Sequence, residues 1–432
     1  MDKGEPLLCP LLQKMTVHGL NNNTKANLVV VGVHGLVSLL GILENALIIW
    51  VVGFRLSLHT VTSVWVLNLA LTDFLATLTL PLFTAYLHSS HSWELGDPLC
   101  KVQASIFFFN MFVSAFLLAA ISLDRLLLAV KPAWSRNHRS VAGAWKVSAL
   151  GWLWGAINTA PYFVFRSVVE KMDGRKLCYY NFALYLPSNG TLQRDCDVRH
   201  GTMAISKMLL AFLIPLMIIT GSHIKMALSL KARDRRRKQS AIFLPDEKIT
   251  LSTNEASKRK FSTASTKTNN MLLGSISTKP RKNSLHPSSS LRPNGQDMLS
   301  QSFKKMVTAA VLVFVLCWAP YHIFCMIELT AQHNEETLKL VETWLPLAAT
   351  LAFLNPVLNP ILYTFCCPKL FVRIRQSLGA VFDGLVEERG GFPMSPSSTI
   401  RAHMKRRSSR DVTATTPGSP KFSSSLRQSS HS

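Results

Sequence analysis

Ionisable and amide side chains recur inside long apolar runs of this chain: Glu44-Asn45, Asp73, Asn110, Asp124-Arg125, Lys207 and Asn359. An unpaired charge in hydrocarbon is expensive, so each of these needs a partner or a task. Asp73 with Asn110, Ser114 and Asn359 has the composition of a buried polar pocket that holds a sodium ion. The alternative is a protonated Asp73 in a hydrogen-bond network. Lys207 sits in mid-helix outward of Pro215, while Arg166 and Arg175 flank it in sequence-distant segments beyond Pro161 and beside Cys178. With Tyr180, Tyr321 and an apolar wall of Phe83, Trp93, Phe107, Phe108 and Phe353, these cations suit an anionic lipid, carboxylate at one end and alkyl chain along the wall. Arg166 and Arg175 can equally be plain loop charges, and Lys207 can snorkel or pair with Glu328. The one metal-like cluster, His88, His91 and Glu94, has no second carboxylate. Neither catalysis nor a metal other than sodium is expected.

The elements that must position these groups are apolar. Hydrophobic residues make up 48% of the 432 and charged ones 16%, a balance that favours a membrane bundle. Seven runs are long enough to cross a hydrocarbon core as helices, over 28–54, 62–87, 99–130, 141–165, 202–230, 303–329 and 342–366. The fold class expected is therefore an all-α seven-transmembrane bundle. A net charge of +23 would suggest nucleic acid, but the excess is concentrated in 231–305 and 367–432, with no folded binding module behind it. Basic residues cluster on one side of the spans, which predicts a cytoplasmic C-terminus and an extracellular segment 1–27 in a multi-pass plasma-membrane protein. The sequons at Asn22 and Asn189 fall on the predicted exterior. No cleaved signal peptide is expected, so the first span inserts the chain. Segments 28–230 and 303–366 carry the helices, with 231–302 a disordered loop and 385–432 a disordered tail. Residues 367–384 read as an amphipathic helix on the membrane surface, where Cys366 and Cys367 are either palmitoylated or ordinary buried thiols. Inverted repeats of the transporter kind are absent. The basic loop and tail suit anionic lipid heads, and their Ser-containing basic runs suit kinases and arrestin.

The polar positions, taken in order with Leu69-Ala-Leu-Thr-Asp73, Trp152, Pro215, Cys317-Trp-Ala-Pro320 and Asn359-Pro-Ile-Leu-Tyr363, resemble the rhodopsin-like G-protein-coupled receptor family. That resemblance implies a switch built from Asp124, Arg125, Trp318, Pro320, Asn359, Pro360 and Tyr363. In it Asp124 neutralises Arg125 at rest; Leu126 departs from the usual Tyr. It also implies a disulfide between Cys100 and Cys178, and the remaining exterior pair, Cys9 and Cys196, fits a second one. The stretches His91-Ser-Trp-Glu-Leu-Gly96, Pro161-Tyr-Phe-Val-Phe-Arg166, Cys178-Tyr-Tyr-Asn181 and Trp318-Ala-Pro-Tyr-His322 narrow the likeness to prostanoid-responsive members of the chemoattractant branch. A receptor of that branch implies an acidic eicosanoid agonist such as prostaglandin D2, coupling to heterotrimeric Gi, and regulation by arrestin and receptor kinases. The carboxylate site it implies falls on Arg166, Tyr180, Lys207 and Tyr321. Gln103, Asn355-Pro356 and the long loop 231–302 depart from the branch pattern. The alternative is a chemoattractant receptor for a peptide or another oxidised fatty acid.

Overall fold

The computed structural model describes residues 7–17, 28–55, 59–186, 191–242, 295–331 and 334–366, with Val372, 375–377 and Gly379 beyond them. Met1–Ser377 form one compact unit; in the second, Leu378–Ser432, the description reaches Gly379 alone. A short helix α1 (Pro10–Val17) precedes the first span, α2 (Leu28–Trp50), which a wide turn continues to Arg55. Then follow α3 (Val61–His88), α4 (Gly96–Val130), a short α5 (Pro132–His138) and α6 (Val141–Phe165). Strands β1 (Arg166–Glu170) and β2 (Lys176–Tyr180) form a hairpin before the fifth span, built of α7 (Leu192–Lys207) and α8 (Ile214–Ile242) around a π-type turn. The sixth span is α9 (Gly295–Ala331), and the seventh combines α10 (Glu335–Phe353) and α11 (Asn355–Cys366).

Six of these helices are both long and apolar enough to cross a membrane. The seventh, α6, is 25 residues long, about 37 Å at the α-helical rise, but Lys146, Asn158, Pro161 and its tryptophans lower its hydropathy. Its outward face carries Leu150, Leu153 and Ile157, each more than half exposed. Leu36, Leu39 and Leu43 on α2 and Leu312, Leu316 and Ile323 on α9 continue this apolar belt. A surface of this kind is stable only against hydrocarbon. The expected spans are thus present, with three starting well before their apolar runs: the fifth at Leu192, the sixth at Gly295 and the seventh at Glu335. Polar first turns such as Leu192-Gln-Arg-Asp hide a helix from a hydropathy reading although they extend it readily. Helix also takes both ends of the expected loop 231–302, up to Ile242 and from Gly295, while 243–294, the tail, most of 367–384 and the sequons at Asn22 and Asn189 lie outside the described residues.

Inside lipid, helices gain little from hiding apolar surface from one another, so close packing and hydrogen bonds must join them. Close packing is clearest between α4 and α6. A β-carbon on Gly155 would meet Val113 Cγ2 at 2.3 Å, and one on Gly151 would meet the Phe116 ring at 2.6 Å. Hydrogen bonds gather where prolines break helical ladders. Pro360 has no N–H for the carbonyl of Pro356, four residues back, and Asn45 Nδ2 of α2 donates to it at 3.0 Å. Likewise Pro81 leaves the Thr77 carbonyl open to Ser38 Oγ at 3.5 Å. His34 Nε2 and Thr350 Oγ1, 2.8 Å apart, join α2 to α10, and Trp152 Nε1 donates to Asn68 Oδ1 at 3.0 Å to join α6 to α3.

At the end of α4 remote from the hairpin, the expected neutralisation of Arg125 by Asp124 is corrected. Asp124 gives both carboxylate oxygens to Arg139, at 2.7 Å from Nε and 2.9 Å from its terminal nitrogen. Consecutive helical residues point about 100° apart, so Asp124 faces the segment leading into α6 rather than its own neighbour. Thr62 Oγ1 of α3 accepts from Arg139 at 3.3 Å and from Arg125 at 3.5 Å, so both guanidinium groups meet at one hydroxyl. Of the other expected switch residues, Trp318 is buried, Pro320 and Pro360 lie within α9 and α11, and the side chain of Tyr363 falls outside the described residues.

Two stability outcomes follow. Gly155→Ala forces Val113 aside at a stiff β-branched residue, which costs about 1–3 kcal/mol and lowers the thermal midpoint of the purified protein in detergent. Arg139→Ala removes a charge-assisted pair that is only partly exposed, a loss of about 1–2 kcal/mol, and Arg139→Lys restores part of it. An unchanged midpoint in either alanine variant contradicts the packing or the pairing described.

Candidate ligand pocket

The hairpin lies across one mouth of the bundle, held there by one covalent tie and closed by a tight turn. Its strands pair antiparallel from Arg166 opposite Tyr180 to Glu170 opposite Lys176. Gly174 closes the turn at φ +79°, a conformation that a side chain would strain, and the Lys171 amide donates to the Arg175 carbonyl at 2.8 Å. Asp173 accepts from both the backbone and the side chain of Arg175, which draws its carboxyl below the usual range. Cys178 in β2 is bonded to Cys100 at the head of α4, and Cys9 is bonded to Cys196 in α7. Both expected disulfides therefore form. The second carries α1 over the hairpin, burying Leu11, Leu12 and Met15 and placing Leu12 beside Tyr179 and Phe182.

Beneath this cover lies a cavity of about 420 Å³. Its wall contains every residue that the sequence nominated for a ligand: Arg166, Arg175, Tyr180, Lys207 and Tyr321, together with Phe83, Trp93, Phe107, Phe108 and Phe353. The aromatic floor is continuous. Phe107 lies 4.9 Å from Phe353, 5.4 Å from Tyr321 and 5.9 Å from Trp318, centroid to centroid, and Phe83 lies 5.6 Å from Phe353. Lys207 is 5% exposed, and its ammonium faces the rings of Tyr321 at 5.1 Å and Phe108 at 5.4 Å. Ring faces hold a cation without neutralising it, so its charge stays available to the cavity. Arg166 lies 4.5 Å over Tyr180, and the buried Tyr180 hydroxyl has no hydrogen-bond partner among the described residues. Arg175, by contrast, is committed to Asp173 at the rim and donates to the Ser90 carbonyl at 3.5 Å.

The suggested Lys207–Glu328 pair does not form as a direct contact. Glu328 accepts from the Tyr179 hydroxyl and lies 3.6 Å from His200 Nε2, while Lys207 Nζ approaches Cys325 Sγ at 3.1 Å. Burial, and after it the Glu328 charge, pushes the Tyr179 hydroxyl well above its ordinary range and keeps it a donor. Tyr321, Cys325 and Glu328 all line the cavity, and their spacing of four and then three residues puts them on one helical face. That spacing was the available signal for Cys325 and Glu328. Lys171 and His91 were missed as well, since turns that fold back over the mouth have no periodicity to betray them, and Tyr86 was missed although it lies three residues beyond Phe83 on α3. Burial lowers the pKa of Lys171 at this rim. Gln103, the departure from the branch pattern, also faces the cavity.

Deeper in the bundle the four nominated polar residues converge. Asp73, fully buried, accepts from Asn110 Nδ2 at 2.9 Å, Ser114 Oγ at 3.3 Å and Asn359 Nδ2 at 2.8 Å. Asn355 Oδ1, from the departing Asn-Pro pair, accepts from Asn359 at 3.2 Å. Two carboxylate oxygens and the Ser114 and Thr72 hydroxyls are hard donors of the sort a sodium ion takes, so the residues fit one. As they stand, the amides already satisfy the carboxylate. Among the described residues no His, Cys, Asp and Glu cluster could hold another metal.

The chain matches the family model of the 7 transmembrane receptor (rhodopsin family) over residues 44–363. It is 40% identical to prostaglandin D2 receptor 2 of Mus musculus over 95% of this chain and 90% of that protein. The Rattus norvegicus receptor of the same name is 39% identical over 91% of this chain and 83% of its own length. Chemerin-like receptor 1 of Rattus norvegicus is 30% identical, covering 79% of this chain and 76% of the relative. With seven helices in the expected order and this breadth of likeness, the chain belongs to the rhodopsin family of seven-transmembrane receptors.

Proposed function

We propose that this receptor binds an acidic lipid mediator, prostaglandin D2 foremost, and signals through Gi to lower cyclic AMP and drive chemotaxis. The observation that carries the reading is the convergence of two cations, Arg166 and Lys207, and the unpartnered Tyr180 hydroxyl on one aromatic-walled cavity. A carboxylate satisfies all three, and an alkyl chain fits along Phe107, Phe83 and Phe353. The names of the relatives at 40% and 39% identity support the same ligand. In this reading the hairpin mouth faces the cell exterior, the Arg139 end faces the cytoplasm, and phosphorylated basic runs in the loop and tail recruit arrestin. Glu328 gives a peptide ligand with a basic group the runner-up place, since it is a buried carboxylate at the same cavity.

Cells expressing the wild type and Lys207→Ala at equal surface levels, challenged with prostaglandin D2 and with a formyl peptide, test this. The prostaglandin lowers cyclic AMP in the wild type, and the half-maximal concentration in the variant rises about 10- to 100-fold, the worth of one charge-assisted contact of roughly 1.4–2.8 kcal/mol. A silent wild type, or a response to the peptide alone, moves the function to the peptide reading.

Asp73 we assign a second task, as the anchor of an allosteric sodium ion, reached when Asn110 or Asn359 turns its amide away. Replacing sodium chloride with N-methylglucamine chloride then lowers the thermal midpoint of the wild type and leaves Asp73→Asn unmoved. Equal midpoints in both salts for the wild type remove sodium from the account.

A further inference from the structure

Cys325 is a reduced thiol in the wall of the cavity, on α9 one turn beyond Tyr321. Cys317, the other free cysteine among the described residues, does not line that wall. The Cys325 sulfur lies 3.1 Å from the ammonium of Lys207, the group to which an acidic ligand is drawn. That ammonium, in contact with the nucleophilic sulfur, is placed to give a proton to the carbanion that attack by the sulfur creates. Independently, Tyr180 in the same wall is only 8% exposed and its hydroxyl has no partner among the described residues, so it points to a ligand oxygen. Nucleophile, adjacent acid and orphan donor thus share one small chamber. We propose that Cys325 captures covalently an acidic lipid that carries an α,β-unsaturated ketone, in the cavity where Lys207 contacts its sulfur.

The step balances without a co-reactant. Sulfur attacks the β-carbon, the carbon–sulfur bond forms, and the π pair of the alkene moves toward the carbonyl as an enolate. The proton of the thiol, relayed by Lys207, ends on the α-carbon. Nothing is oxidised overall and no group leaves. Held first by its carboxylate at Arg166 and the Tyr180 hydroxyl, with the Lys207 ammonium left for the proton, the lipid reacts at the effective concentration of a bound ligand rather than at that of free solution. The inference rests on the reading of the cavity as a pocket for an acidic lipid.

The test incubates the purified full-length receptor in detergent with 13-oxo-octadeca-9,11-dienoic acid, with its methyl ester, and with the saturated 13-oxo acid, followed by peptide mass mapping. The dienone acid adds its own mass to the Cys325 peptide, the saturated acid protects against that addition, and the ester reacts at least about tenfold more slowly, the share of one 1.4 kcal/mol contact. Cys325→Ser, nearly isosteric, folds, binds the saturated acid and takes no label. Binding of the saturated acid, seen as a raised thermal midpoint, with no adduct on Cys325 overturns the capture and leaves the lipid pocket intact. Equal labelling by acid and ester, indifferent to competitor, overturns it too. No midpoint shift from either acid, together with silence to prostaglandin D2 in cells, overturns both readings at once.

Discussion

The bundle depends on how Asp73 is accommodated. A carboxylate in the middle of a membrane helix destabilises the fold unless its oxygens receive donors, and here α4 supplies two and α11 supplies one. Satisfying one group therefore fixes the rotation of three helices about a common point. The cavity above it inherits that register: Phe107 lies three residues before Asn110 on α4, and Phe353 lies six before Asn359 across the α10–α11 junction. The aromatic floor and the polar core are consequences of the same alignment.

Around that core, the prolines do more than bend helices. Each removes a donor and exposes a carbonyl, and at Pro356 and Thr77 the first span answers with Asn45 and Ser38. These are bonds between helices that exist because bonds within a helix were lost. An outer helix, exposed along Leu36, Leu39 and Leu43, is thereby joined to the interior at defined heights.

Much of this was legible in the sequence because hydrocarbon punishes polar groups so severely that each marks its own position. Asp73, Asn110, Ser114 and Asn359 could be grouped before their distances were known, and the ten nominated pocket residues do share a wall. What escaped reading was direction. Asp124 and Arg125 are neighbours in the chain, yet the carboxylate turns to Arg139, and Arg139 looked like one more basic loop residue. Glu328 was legible as a charge near Lys207 but not as the acceptor of Tyr179, because two segments 149 residues apart meet only once the hairpin is folded over the mouth. Helix starts were misplaced for a simpler reason: Leu192–Asp195 and Glu335–Glu336 are helical outside the apolar zone, where composition carries no membrane signal.

The disulfide from Cys9 to Cys196 has a kinetic meaning. It makes the N-terminal helix a roof fastened at both ends of its sulfur bridge, with Leu12 and Met15 packed inward. On the proposed function a ligand enters at this mouth, where the cavity lining includes Lys171, Arg175 and the α10 residues Leu345 and Pro346. Cations at such an entrance steer an anion and make arrival sensitive to ionic strength, while the roof slows departure whatever the salt. The two rates are thus governed by different parts of the molecule, so evolution can lengthen occupancy by tightening the roof without touching the residues that recognise the ligand.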